Sequence, residues 1–128
     1  MQQLNSYNKL NKEVLKMDCI FCKIIAGEIP SNKLYEDEKV YAFYDIAPEA
    51  PVHFLVIPKE HIKCASDIND SNSDIIAHIF TVISKLAKEL SLDDGYRIVN
   101  NCGQNGGQTV EHLHFHVLGG RLLAWPPG

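Results

Sequence analysis

No stretch of this sequence comes near the apolar length that a membrane-spanning helix needs, so a membrane is not expected as a partner. Cysteine is sparse, with four residues in 128. They do not look like a disulfide framework, and no secretory signal precedes them. A reducing, cytoplasmic setting is therefore the expectation. Basic charge is in the minority: 12 Lys and Arg stand against 16 Asp and Glu, a formal charge of -4. Without a broad basic footprint, nucleic acid is not expected as a main partner. Tryptophan occurs once, as Trp125 in the tail. No internal repeat is evident. The rest of the composition, 45% hydrophobic and 22% charged, suits one globular domain that buries roughly two-thirds of its unfolded surface.

The chain is organised around Thr109-Val110-Glu111-His112-Leu113-His114-Phe115-His116-Val117. A strand turns successive side chains to opposite faces. His112, His114 and His116 then share one face, and Leu113, Phe115 and Val117 share the core face. A helix would scatter the imidazoles around its axis. Just before them, Asn105-Gly106-Gly107-Gln108-Thr109 is rich in glycine and small polar groups, a loop whose amides can approach an anion. Imidazoles beside an anion cradle suit a phosphate-handling site. Metal binding is the rival reading, because alternating histidines on a strand can chelate zinc. A merely structural triple is the third.

Residues 1–16 are polar and Asn-rich, and are read as a disordered or loosely helical extension. The folded domain is expected over 17–128, with Met17 a candidate alternative start. Cys19-Ile-Phe-Cys22 leads into one or two helical turns that stop near Gly27 and Pro30. The Cys-x-x-Cys pair reads as half a zinc site, a redox motif or two small buried residues. Strands are expected at Lys33–Glu36 and Val40–Ile46 around an acidic turn, then at Val52–Pro58, which carries His53 near its start. A buried His53 needs hydrogen-bond partners, so structural and catalytic roles are both open. Ser73–Leu90 is the clearest helix, with Ile75, Ile79, Ile83, Leu86 and Leu90 on one stripe that Phe80 and Val82 widen. Asn72 or Ser73 is the expected N-cap. His78 lies within the helix and is given no function. Tyr96–Asn101 is a fourth strand and the histidine strand the fifth. The expected class is α+β: a five-stranded antiparallel sheet with one long helix on a face. A hairpin between the last two strands would bring Asn101, Gly107 and Thr109 close to the histidines.

His112-Leu113-His114-Phe115-His116 resembles the His-x-His-x-His signature of the histidine triad (HIT) superfamily. The likeness runs from about Asp18 to Gly128 and looks most like the Hint branch, the nucleoside phosphoramidases. It is carried also by Cys19-Ile-Phe-Cys22, Phe43-Tyr-Asp45-Ile46, Ala50-Pro-Val-His53, Gly106-Gly-Gln-Thr109 and Trp125-Pro-Pro-Gly128. The Gly119-Gly120-Arg121 segment lacks the proline usual in the dinucleotide-hydrolase branch. The resemblance implies a homodimer with one sheet continued across its two-fold axis. It implies hydrolysis of AMP or GMP amidates at the P–N bond. His114 matches the nucleophile, His116 a contact to the α-phosphate, and His112 a support for His114 through its carbonyl. His53 matches a histidine that steadies the relay. Asn101, Gly107 and Thr109 match phosphate-binding positions, and Thr109 departs from the usual serine while keeping the hydroxyl. Phe21, Ile24, Phe43 and Ile46 match the purine slot, Asp45 the ribose carboxylate, and Trp125 a tail residue directed at the partner's site.

The resemblance also implies that Cys19, Cys22, His61 and His112 can hold a structural zinc as a Cys₂His₂ set. No cofactor is required for the chemistry. The alternative is a nucleotide-binding scaffold or regulatory protein with incidental hydrolysis. A dinucleotide polyphosphate hydrolase is a further reading, and the tail speaks against it.

Overall fold

The computed structural model describes residues 18–128; the expected extension at 1–16, and Met17, lie outside the described residues. A short helix α1 (Ile20–Ile25) precedes three strands, β1 (Lys33–Glu36), β2 (Val40–Tyr44) and β3 (Val52–Pro58). A single 3₁₀ turn (Ala65–Asp67) leads to the long helix α2 (Ser73–Glu89), and β4 (Tyr96–Val99) and β5 (Phe115–Gly119) follow. The strands form one antiparallel sheet in the order β1-β2-β3-β5-β4. The α+β architecture is the one read from the sequence. Among the described residues, no helix is long and apolar enough to cross a membrane.

Alternation within the strands builds two apolar layers. Val40, Ala42, Phe54, Val56, Phe115 and Val117 face α2, whose Ile79, Val82, Ile83 and Leu86 are buried against them. Burying each large side chain contributes roughly 1.5–3 kcal/mol. The opposite face carries Tyr41, Phe43, Leu55 and Ile57, covered by Phe21 and Ile24 of α1. Phe80 stands at the rim of the helix stripe, 45% exposed, with its ring edge-on to Phe115. Asp74 and Lys88 complement the dipole at the two ends of α2.

Element ends differ from the sequence reading for local reasons. Asn72 occupies the cap position of α2, but its side chain makes no cap hydrogen bond; its Oδ1 accepts from the Asn69 amide instead. β2 stops at Tyr44 rather than Ile46 because Asp45 Oδ1 accepts from the Ala47 amide at 2.8 Å and closes a turn. β4 stops at Val99, and the histidine strand starts only at Phe115. From Val110 to His114 other partners replace the ladder. The Leu113 amide donates to the Ile62 carbonyl at 2.7 Å. Gln108 Nε2 donates to the Val110 carbonyl at 3.0 Å, and Asn100 Nδ2 to the His114 carbonyl at 2.9 Å. The segment still alternates, with Leu113 in the α2 layer and His112 and His114 on the other side.

Asp37 fastens the β1–β2 turn to the helix. Its carboxylate accepts from the Lys39 and Val40 amides, the Tyr35 hydroxyl and His78 Nε2. Burial pushes the carboxyl up, but His78, the two amides and the Tyr35 hydroxyl outweigh it and hold the group well below the usual carboxylate range. The folded chain therefore binds fewer protons here than the unfolded one. The stabilisation is complete above the ordinary carboxylate value, roughly pH 4, and is lost as the pH falls further. Asp37→Ala is expected to cost about 2 kcal/mol at neutral pH. Urea denaturation should show a smaller stability loss between pH 7 and pH 3 for the variant than for the wild type. An unchanged loss would assign the acid sensitivity to other groups.

Candidate active site

The layer opposite α2 opens into a cleft of about 870 Å³, within the usual range for a small-molecule site. Phe21, Ile24, Phe43, Ile46 and Leu55 form its apolar wall, and Asp45, Thr109, His114 and His116 bring polar groups to it. Helix α1 supplies Phe21 and Ile24 because Cys19 caps it: the Cys22 amide donates to Cys19 Sγ at 3.3 Å. The Phe21 ring meets His114 edge-on at 5.2 Å between centroids. Ile46 is fully exposed at the mouth.

The histidines are oriented by partners that fix their tautomers. His114 Nδ1 lies 2.7 Å from the His112 carbonyl oxygen. A carbonyl only accepts, so Nδ1 carries the proton and Nε2 the lone pair. His114 is buried and lines the cleft, so that lone pair belongs to the edge of the ring turned away from its own main chain.

A second chain of bonds runs behind the cleft. The Glu49 amide donates to His53 Nδ1 at 3.1 Å, which leaves the His53 proton on Nε2. That Nε2–H donates to His116 Nδ1 at 2.9 Å. The proton of neutral His116 is consequently on Nε2, the edge turned away from His53. Asp45 Oδ2 flanks the pair, 3.5 Å from His53 Nε2 and 3.9 Å from His116 Nδ1. Burial chiefly, with the adjoining imidazoles of His114 and His53 adding to it, pushes the His116 imidazole down to about 4. At neutral pH it is thus an uncharged donor. The site sets a lone pair (His114 Nε2) beside an N–H donor (His116 Nε2) in an apolar cleft with a carboxylate. Such a set can take an electrophilic phosphorus, hold its oxygens and bind a sugar hydroxyl.

A second cluster adjoins the first. Cys19 Sγ is 3.3 Å from His112 Nδ1, and Cys22 Sγ is 3.4 Å from His61 Nδ1 and 3.5 Å from His112 Nδ1. All four ligand atoms lie within 4.8 Å of one another. A tetrahedral zinc with sulfur and nitrogen ligands sets such atoms about 3.6 Å apart, so the group fits a metal ion. His112 Nε2–H donates to the Pro58 carbonyl at 2.8 Å, which turns the Nδ1 lone pair toward the sulfurs, the outer-sphere arrangement metal-binding histidines need. Burial holds His112 down to about 4, hence uncharged at neutral pH.

Of the other residues singled out in the sequence, Thr109 lines the cleft, whereas Asn101 and Gly107 are not among its lining residues. Gly107 has φ +78°, which favours glycine. Trp125 is 82% exposed on the tail. Sequence reasoning missed Asn100, whose side chain holds the His114 carbonyl. It also missed Gln108, which accepts from the Gly103 amide and donates to the Lys63 carbonyl at 2.8 Å. Neither stands out by residue type; only their place between irregular segments gives them this work.

Fold and site together define a histidine-triad domain. The chain belongs to the HIT family: the HIT domain model matches residues 26–123. It is 50% identical over 111 residues to an uncharacterized HIT-like protein of Synechococcus elongatus, covering 87% of this chain and 97% of the relative. Among solved structures it is similar to a HIT family hydrolase from Legionella pneumophila, at 49% identity and a TM-score of 0.85, covering 87% of this chain and all of that one. A histidine triad nucleotide-binding protein from Candida albicans is similar at 43% identity and a TM-score of 0.73, with 85% and 83% covered.

Proposed function

We propose that this chain is a purine nucleoside phosphoramidase that hydrolyses the P–N bond of AMP or GMP amidates through a nucleotidyl-His114 intermediate. The observation that carries the reading is the 2.7 Å bond from His114 Nδ1–H to the His112 carbonyl, which leaves Nε2 as a nucleophile. Attack by Nε2 forms a bond to the α-phosphorus as the P–N bond to the amine breaks, and the amine leaves with a proton taken from solvent. Water then cleaves the nucleotidyl-imidazole. His116 Nε2–H donates to a phosphate oxygen, and His53 keeps that ring in register through the 2.9 Å bond. Thr109 adds a hydroxyl donor from the cleft wall, and Asn101 and Gly107 are the further phosphate contacts of this reading. Phe21, Ile24, Phe43 and Ile46 take the base, and Asp45 accepts the ribose hydroxyls.

Two further parts belong to the same reading. Cys19, Cys22, His61 and His112 hold a structural zinc that supplies cross-linking and no step of the reaction. A second copy of the chain pairs with it as a homodimer, continuing the sheet and bringing Trp125 to the partner's site. The edge position of β4 and the exposed Tyr96 on it support that pairing.

The test is steady-state hydrolysis of a fluorogenic adenosine 5′-phosphoramidate with and without EDTA, beside a diadenosine polyphosphate. Turnover of the amidate that survives chelation, with the dinucleotide slower by about a hundredfold or more, is the expected result. The similarity to the Candida nucleotide-binding protein favours a second reading, a nucleotide-binding scaffold with incidental hydrolysis. AMP binding without amidate turnover would establish that one instead.

A further inference from the structure

Two cysteines lie outside both clusters just described. Cys64 immediately precedes the 3₁₀ turn at Ala65–Asp67, and Cys102 opens the loop between β4 and β5. Ser66 Oγ is 3.3 Å from Cys102 Sγ, and the Cys64 thiol donates to Asp67 Oδ2 at 3.4 Å. Both cysteines are half-buried, and no disulfide joins them. We propose that Cys64 and Cys102 are a reversible dithiol–disulfide pair that, when oxidised, ties the β4–β5 loop to the segment following β3.

The neighbours give the two sulfurs different work. The Ser66 hydroxyl and amide, together with the Cys64 thiol, hold the Cys102 thiol below its ordinary value. Burial, with Cys102 and Asp67 adding to it, pushes the Cys64 thiol up. The Ser66 hydroxyl is placed to donate to a Cys102 thiolate, and the Cys64 thiol keeps its proton against the Asp67 carboxylate, so Cys102 is the attacking sulfur and Cys64 the resolving one. With hydrogen peroxide as oxidant, the Cys102 thiolate takes one peroxide oxygen. The O–O bond breaks, hydroxide leaves, and Cys102 becomes a sulfenic acid. Cys64 then passes its proton to the Asp67 carboxylate and attacks the Cys102 sulfur. The S–O bond breaks, an S–S bond forms, and the departing hydroxide takes that proton as water. Two thiols and one peroxide become one disulfide and two waters.

The loop gives the bond a consequence. A Cβ on Gly106 would run into the Cys102 main chain, so the loop folds back directly onto Cys102. Gln108 joins the same two segments, from Gly103 to Lys63. A disulfide beside that contact restrains residues 103–109, which include Gly107 and Thr109. The inference stands apart from the proposed reaction, since its readouts are covalent mass and amide exchange rather than turnover.

The purified full-length protein is treated with a small excess of hydrogen peroxide at neutral pH, alkylated, digested and analysed by mass spectrometry. A Cys64–Cys102 linked peptide is expected, reversed by dithiothreitol, with amide exchange over 103–109 slowed about tenfold while linked. In Cys64→Ser, a dimedone adduct should accumulate at Cys102. Linkage confined to Cys19 and Cys22 would overturn the proposal. So would Cys102 running on to sulfinic acid in the wild type, or unchanged exchange in the linked protein. A dimedone adduct on Cys64 in Cys102→Ser, as abundant as that on Cys102 in the first variant, would overturn the assignment of roles.

Discussion

His114→Asn is expected to lower kcat for an adenosine 5′-phosphoramidate by about four orders of magnitude, with AMP affinity changed no more than about threefold. The asymmetry follows from the geometry. The asparagine Nδ2–H₂ can still donate to the His112 carbonyl, which His114 Nδ1 now contacts at 2.7 Å, so the local backbone keeps its partner. What disappears is the nitrogen lone pair on the far edge of the ring. The apolar wall and Asp45 are untouched, and nucleotide binding should persist. Four decades correspond to about 5.5 kcal/mol of transition-state stabilisation, more than a lost neutral hydrogen bond accounts for. Acid quenching during turnover should capture a nucleotidyl adduct on the wild type and none on the variant. Retention of turnover to within tenfold would remove the covalent mechanism, and the scaffold reading would gain.

Cys22→Ala should lower the melting temperature by about 10 °C and reduce bound zinc from about one per chain to a small fraction. Cys22 reaches both histidines of the group, His61 at 3.4 Å and His112 at 3.5 Å. Losing it leaves three ligands where a closed structural site uses four. The same group joins three distant pieces of chain: the start of α1, the segment after β3 and the approach to β5. Its loss releases all three. Turnover should fall far less, to about a third of the wild-type rate, because the carbonyl of His112 rather than its ring steers His114. Metal analysis of protein purified without chelator, beside a thermal melt, checks both parts. Zinc far below one per wild-type chain would remove the metal site. A variant that melts with the wild type would show the ion to be incidental to stability.

Much of this was legible in the sequence because side-chain alternation is local. The periods around Val52–Pro58 and along Ser73–Glu89 give the central strand and the helix to within a residue of the observed ends. The same alternation puts His112 and His114 on one face although neither lies in a strand. What stayed hidden depends on residues meeting across the sheet. The residues alone leave the role of His53 open, and only the family resemblance gives it one; the 2.9 Å bond to His116 exists because β3 and β5 are neighbours, an order no pattern of apolar residues announces. Asn100 reads as strand continuation, yet its side chain takes the place of a ladder bond. Of the loop residues expected beside the histidines, Thr109 lines the cleft, and Asn101 and Gly107 are not among its lining residues.

The sheet order sets when the site can come into being. β5 pairs with β3 on one side and β4 on the other, so a segment late in the chain is inserted between two other strands of a sheet begun much earlier. The β3–β5 closure spans α2 and its flanking loops, a distant pairing that makes for slow folding. Helix α2 and the β2–β3 hairpin draw on nearer contacts and can be ordered sooner. His53 comes with that early part, but His114 and His116 arrive only with the final closure. In a stopped-flow refolding experiment, helical signal should therefore precede nucleotide binding, and binding should return together with the slowest central pairing.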